Sequence, residues 1–166
     1  METITKTFNL YSFDELAKEV KEKVIEREAK GIGEMDCEFY LKEYMQERAE
    51  ELLAKNFGKN ATFKNAYFSL GYCQGDGAMI EFDLIYCGKK LEITHNRGLY
   101  FHANSFKIVE LEQNLTERQY RNLKTKIYNM NLKLEKIGYN FIEEDRTAEA
   151  IEQLKDCLFY ENGGIY

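Results

Sequence analysis

Between residues 63 and 111, apolar side chains recur at every second position in run after run, with turn-forming residues between the runs. A period of two marks a strand with one buried face, because successive side chains of an extended chain point to opposite faces. In the first run Ala66, Phe68, Leu70 and Tyr72 share a face. In the second Ile80, Phe82, Leu84 and Tyr86 do so, leaving Glu81 and Asp83 opposite. Gly88-Lys89 signals a turn, Leu91 and Ile93 continue the sheet, and Asn96-Arg97-Gly98 starts the next hairpin. Leu99, Phe101, Phe106, Ile108 and Leu111 complete it. Short turns between alternating runs make sequence neighbours pair antiparallel, and such a sheet needs cover on one face only. Proline is absent, so the turns must rely on Gly, Asn and Asp.

The cover comes from helices on either side. Residues 3–10 alternate, with Ile4, Phe8 and Leu10 on one side of a short strand. Ser12 and Glu15 then form a capping box, and Phe13, Leu16, Ala17, Val20 and Val24 make one helical stripe that ends at Gly31. A second helix spans residues 36–56, with Phe39, Leu41, Tyr44, Met45, Ala49, Leu52 and Leu53 as its apolar positions and Gly58 closing it. The third helix opens on a capping box, Thr116 with Gln119, and Gly138 stands where a C-terminal cap belongs. Its apolar seam is Tyr120, Leu123, Ile127, Met130, Leu134 and Ile137, which suits packing on the sheet or a homodimer contact. A last helix from Thr147 carries Ile151, Leu154 and Leu158, and residues 160–166 read as a flexible tail. The order β-α-α-β-β-β-β-α-α predicts a single α+β domain over residues 1–166. It is an antiparallel meander of four to five strands packed with about four helices.

Composition closes off several classes. With 166 residues, 44% of them hydrophobic, the chain can bury a core of its own. It has no apolar run near the roughly 18 residues of a membrane span, and its first residues lack a signal peptide's apolar centre. A cytoplasmic address follows as the expectation. Cys37, Cys73, Cys87 and Cys157 are widely spaced, which points to reduced thiols and gives zinc no short ligand pair. The formal charge is −6, but acids and bases interleave, as in Lys18, Glu19, Glu22, Lys23, Glu26 and Lys30. Such interleaving is a solvated helix face, and without a basic stripe it argues against direct nucleic-acid binding. No cofactor is implied.

The candidate site is the connection Gln74-Gly75-Asp76-Gly77 with the acidic strand face of Glu81 and Asp83. Glycines let a backbone approach a ligand closely, yet Asp-Gly between alternating runs is also a hairpin signature. The loop lacks the lysine and hydroxyl of a phosphate loop and opens onto a strand rather than a helix. Cys73 with His95 or His102 is the available nucleophile set, and Cys73 and Cys87 could meet across a hairpin. By alternation the two histidines face opposite ways. No catalytic or metal-binding residue is assigned. Tyr67, Tyr100, Tyr128 and Tyr139 lie off the core stripes, and exposed tyrosines favour binding interfaces.

Two segments add a resemblance. Tyr11-Ser12-Phe13-Asp14-Glu15-Leu16 with the lysines that follow, and Ser69 to Ala78 with its Cys73-Gln74-Gly75-Asp76-Gly77 centre, resemble a group of small proteins encoded by bacteriophages and prophages. Some members carry an antitoxin-like label. The resemblance implies a non-enzymatic binding protein that inhibits a host defence factor, as an anti-CRISPR does. The alternatives are a sponge for a phosphorylated nucleotide at the glycine loop and an enzyme that uses a cysteine or carboxylate.

Overall fold

The computed structural model describes residues 7–32, 38–96, 100–111 and 114–166, with the backbone alone at 38 and 39. Ile4, Cys37, Arg97, Gly98, Leu99 and the Phe39 side chain, all named above, lie outside the described residues. Along the chain the elements are β1 (Tyr11–Ser12), α1 (Lys18–Ala29), α2 (Glu38–Phe57), β2 (Ala61–Ser69) and β3 (Gly77–Tyr86). They continue with β4 (Lys89–His95), β5 (Phe106–Glu110), α3 (Glu117–Leu154) and β6 (Leu158–Phe159). The fold is α+β, and its backbone gathers into two compact units, Cys37–Phe141 and Met1–Asp36 with Ile142–Tyr166. No described helix is long and apolar enough to cross a membrane.

The larger unit holds the expected meander as an antiparallel sheet in the order β2-β3-β4-β5. The pairs Phe63–Phe82, Leu84–Leu91 and Ile93–Ile108 align the apolar sets of successive strands. Ala66, Ile80, Phe82, Leu84, Leu91, Ile93 and Ile108 are accordingly buried. The β3–β4 turn sits one residue earlier than expected, on Cys87 and Gly88, with φ of 52° and 75°. Positive φ at both central residues is the turn geometry whose twist matches paired strands. At the outer edge, β2 is covered by α2: the Ala66 amide donates to Gln46 Oε1 (3.2 Å), and Gln46 Nε2 donates to the Ala66 carbonyl (3.2 Å) and to Asn65 Oδ1 (3.0 Å). One glutamine thus occupies backbone groups that would otherwise template an intermolecular strand.

Helix α3 departs from expectation twice. Its N-terminal capping box forms as read, Thr116 N donating to Gln119 Oε1 (3.0 Å) and Gln119 N to Thr116 Oγ1 (3.3 Å). Gly138, however, is not a cap, and the two expected helices are one element. Its φ is not in the left-handed region; instead a methyl placed there would lie 2.4 Å from Leu70 Cδ1 and 2.9 Å from Met45 Sδ. Gly138 is a close-packing position inside the helix. The seam is the second correction: Leu123, Ile127 and Leu134 are 0% exposed and Met130 is 2% exposed. Presenting any one of them to a second copy would forfeit about 1.5–3 kcal/mol of burial, so these four positions are committed inside the fold, while Tyr120 is 38% exposed.

In the smaller unit, β1 pairs antiparallel with β6, Tyr11 opposite Phe159 and Ser12 opposite Leu158. Phe13, Leu16, Val24, Leu154 and Phe159 form its core. The Glu15 carboxylate accepts from both the backbone amide and hydroxyl of Ser12 (2.8 Å each). That box closes a single 3-10 turn, Phe13–Glu15, and α1 starts only at Lys18 because Leu16 and Ala17 are extended. Beyond β6 the segment 160–166, expected as a tail, is hydrogen-bonded. It turns back on itself, Tyr160 N donating to Gly164 O (2.8 Å) and Tyr166 N to Leu158 O (2.8 Å).

Candidate functional site

The connection between β2 and β3 is wider than the sequence suggests. Ser69 pairs with Gly77, so residues 70–76 form a loop instead of a tight turn. The loop is organised from inside by one carboxylate. Asp76 is only 9% exposed and accepts four hydrogen bonds: Tyr139 OH (2.7 Å), Cys73 N (2.8 Å), Ser69 Oγ (3.0 Å) and Cys73 Sγ (3.1 Å). Burial alone would push its carboxyl up, but these donors, the Tyr139 phenol foremost, hold it well below the usual carboxylate range. Tyr139 responds in the opposite sense. Burial, and then the bond to Asp76, raise its phenol far above the ordinary value.

Two tyrosines stand on this base. Tyr72 has φ 55°, a left-handed conformation that costs a bulky residue about 1–3 kcal/mol, and its side chain is 53% exposed. Its ring lies 4.8 Å from that of Tyr139, tilted by 45°. Tyr100 is 68% exposed and packs on Gly75, where a methyl would come within 2.9 Å of its ring. Tyr100 also meets His102 edge to face at 5.9 Å. Glu135 lies one helical turn before Tyr139, on the same side of α3. Burial raises its carboxyl; the His102 charge opposes that and the Asp76 charge adds to it.

The support beneath is equally specific. Gly77 has φ 154°, and a methyl there would fall 2.3 Å from the Phe101 carbonyl oxygen and 2.7 Å from His102 Cα. Only glycine lets the 101–102 backbone pass so close. Pairing of β3 with β4 stops at Phe82–Ile93, and Asn131 of α3 takes over beyond it. Asn131 is 0% exposed; its Oδ1 accepts from Ile80 N (3.1 Å) and its Nδ2 donates to the Ala103 carbonyl (3.0 Å). Nearby, His95 packs against both Tyr67 (5.1 Å) and Phe101 (5.2 Å), whose own rings lie 6.3 Å apart.

The residues singled out in the sequence do not form one acidic face. Gln74 is exposed, Gly75 lies under Tyr100, Gly77 is buried, and Asp76 is spent inside the loop. Glu81 accepts from Tyr67 OH (3.1 Å) on the sheet. Asp83 and Glu92 share Lys64 (2.7 and 2.6 Å), whose ammonium is pushed up to about 12 by hydrogen bonds to Asp83 first and then Glu92. Cys73 and Cys87 cannot pair. They lie beyond opposite ends of β3, which at ~3.3 Å per residue keeps them far outside disulfide reach. Tyr72 and Glu135 were missed, because Tyr72 fits the apolar alternation and Glu135 reads as another solvated helix acid. The off-stripe positions of Tyr100 and Tyr139 were the signal that could have led to both.

Comparison with known proteins brings no match, whether to a family model, a curated protein or a solved structure.

Proposed function

We propose that this chain is a non-enzymatic binding protein that contacts another protein through the 70–76 loop, with Tyr72 and Tyr100 as its anchors. One observation carries the reading: Tyr72 is held exposed in a strained conformation on a loop that Asp76 pins from within. Strain of this kind concentrates at sites of function, and tyrosine is among the residues enriched at interface hot spots. A preorganised loop also loses little entropy on binding.

The alternatives draw less from the same geometry. A nucleotide phosphate would need the loop amides, yet Asp76 already accepts from the Cys73 amide and brings its own negative charge, with Glu135 beside it. A cysteine enzyme would need a base for Cys73, and Asp76, kept strongly ionised, is a poor proton acceptor.

Resemblance to phage and prophage proteins supplies the partner class. In this reading the chain acts in the cytoplasm of an infected bacterium and inhibits a host defence factor, such as a CRISPR effector. Affinity capture from lysate of a CRISPR-active host tests it. Wild-type chain should retain a defence protein that the double variant Tyr72→Gly, Tyr100→Ala does not. Equal capture by both forms would remove the loop from the interface.

A further inference from the structure

We propose that the outward face of α3 between Arg118 and Lys136 binds the phosphate backbone of double-stranded DNA. This surface shares no residue with the 70–76 loop and is independent of the reading given for it. Over residues 118–134 the helix has no acidic residue, and the segment 118–136 holds six lysines and arginines with one acid. That is a formal +5 in a chain whose total is −6. In the sequence these cations stand two to seven residues apart and read as no stripe. At 3.6 residues per turn, Arg118, Arg121, Lys124, Lys133 and Lys136 fall within one half of the helix surface, opposite the buried Leu123, Ile127, Met130 and Leu134. All five cations are exposed. The sixth, Lys126, is committed to the fold: it donates to the Asn56 carbonyl (2.6 Å) and sits over the Phe57 ring (4.4 Å).

The cations of this face are unspent. Elsewhere surface cations are paired locally: Lys30 with Glu26 (2.7 Å), Arg48 with Glu51 (2.6 Å) and Lys64 with Asp83 (2.7 Å). On α3 Arg121 pairs with Glu117. Among the described residues, Arg118, Lys124, Lys133 and Lys136 have no ion-pair partner. Like charges three or four residues apart on a helix repel, so the face gains from an anion laid along it. Its length suits a polyanion: Arg118 to Lys136 spans about 27 Å at about 1.5 Å per residue, and duplex DNA offers a charge about every 1.7 Å of its axis. Asn122 and Asn129 are exposed among the cations, and amide side chains serve both phosphates and base edges. The major groove of B-DNA, about 12 Å wide, admits a helix, whereas that of A-form RNA is closed to side chains. A membrane surface would need a broad apolar face, and α3 buries its own.

The probe is a fluorescently labelled DNA duplex of about 20 base pairs, titrated with the full chain at about 50 mM salt and read by anisotropy. Binding should be saturable and should weaken at least about a hundredfold between about 50 and about 200 mM salt, as four or five phosphate contacts require. The triple variant Lys124→Gln, Lys133→Gln, Lys136→Gln should bind at least about tenfold more weakly, with a salt slope shallower by about 3. Glutamine keeps the helix propensity of lysine at these exposed positions, so the fold is retained. The same change of charge on α1, Lys18→Gln, Lys23→Gln, Lys30→Gln, should leave affinity and slope near those of wild type. Three results would each overturn the inference: no saturable binding, an α3 variant that binds as well as the α1 variant, or an RNA duplex or phosphatidylserine vesicles bound more tightly than DNA. None of these measurements involves Tyr72 or Tyr100, so their failure and that of the loop reading are told apart.

Discussion

Asp76 shows how one residue can look like a ligand contact in the sequence and serve as a staple in the fold. Its short-range donors, Ser69 and Cys73, lie within the motif, but the donor that matters most, Tyr139, is 63 positions away. No local pattern reveals such a pairing, so Asp-Gly read as a tight hairpin. The hub makes a pH prediction with a definite sign. Asp76 titrates near 3.9 when unfolded and lower when folded, so its stabilisation is complete above about pH 4 and is lost as pH falls below that. Tyr139 is raised from an unfolded value near 10, so its share is complete below about pH 10 and is lost as pH climbs past it. Asp76→Asn should cost at least about 2 kcal/mol at neutral pH, since the amide cannot replace a carboxylate accepting four bonds. Denaturant unfolding should show the gap to wild type narrowing as pH drops below about 4. A gap that stays constant down to acid pH would mean that the Asp76 charge is not what holds the loop.

At the scale of elements, what the sequence disclosed was periodicity, and what it hid was the reason for exceptions. The four sheet strands and the N-terminal capping box of α3 were legible, because alternation and capping are local. Gly138 was not, because a glycine that ends a helix and one that admits a neighbour look alike. The difference lies in Leu70 and Met45, which come from elsewhere in the chain. Asn131 is the same lesson at a polar position: within the apolar seam of α3 it reads as a surface residue, yet it completes the edge of β3. Asn131→Ala, although alanine is the better helix former, leaves the Ile80 amide and the Ala103 carbonyl buried without partners. Each orphan costs about 1–3 kcal/mol, so the variant should unfold at clearly lower denaturant. Amide exchange should quicken at Ile80 first. A variant as stable as wild type would show that water or a shifted side chain serves those groups equally well.

For the molecule as a whole, the α+β class was readable, whereas the form of the exposed site was not. The sequence placed the marker at Gln74-Gly75-Asp76-Gly77, and the fold turns Asp76 and Gly77 of it inward. What reaches solvent instead is a pair of tyrosines from two loops, Tyr72 and Tyr100. Only the tertiary structure brings these together. Under the proposed function, Tyr72 is kept strained and exposed for recognition and not for stability. Tyr72→Gly separates the two, because glycine adopts φ 55° freely, and relief of backbone strain offsets the lost ring contact with Tyr139. Measured on the same purified variant, stability should stay within about 1 kcal/mol of wild type while capture of the host partner disappears. A variant that still captures its partner, or one that loses capture only because it unfolds, would contradict the account.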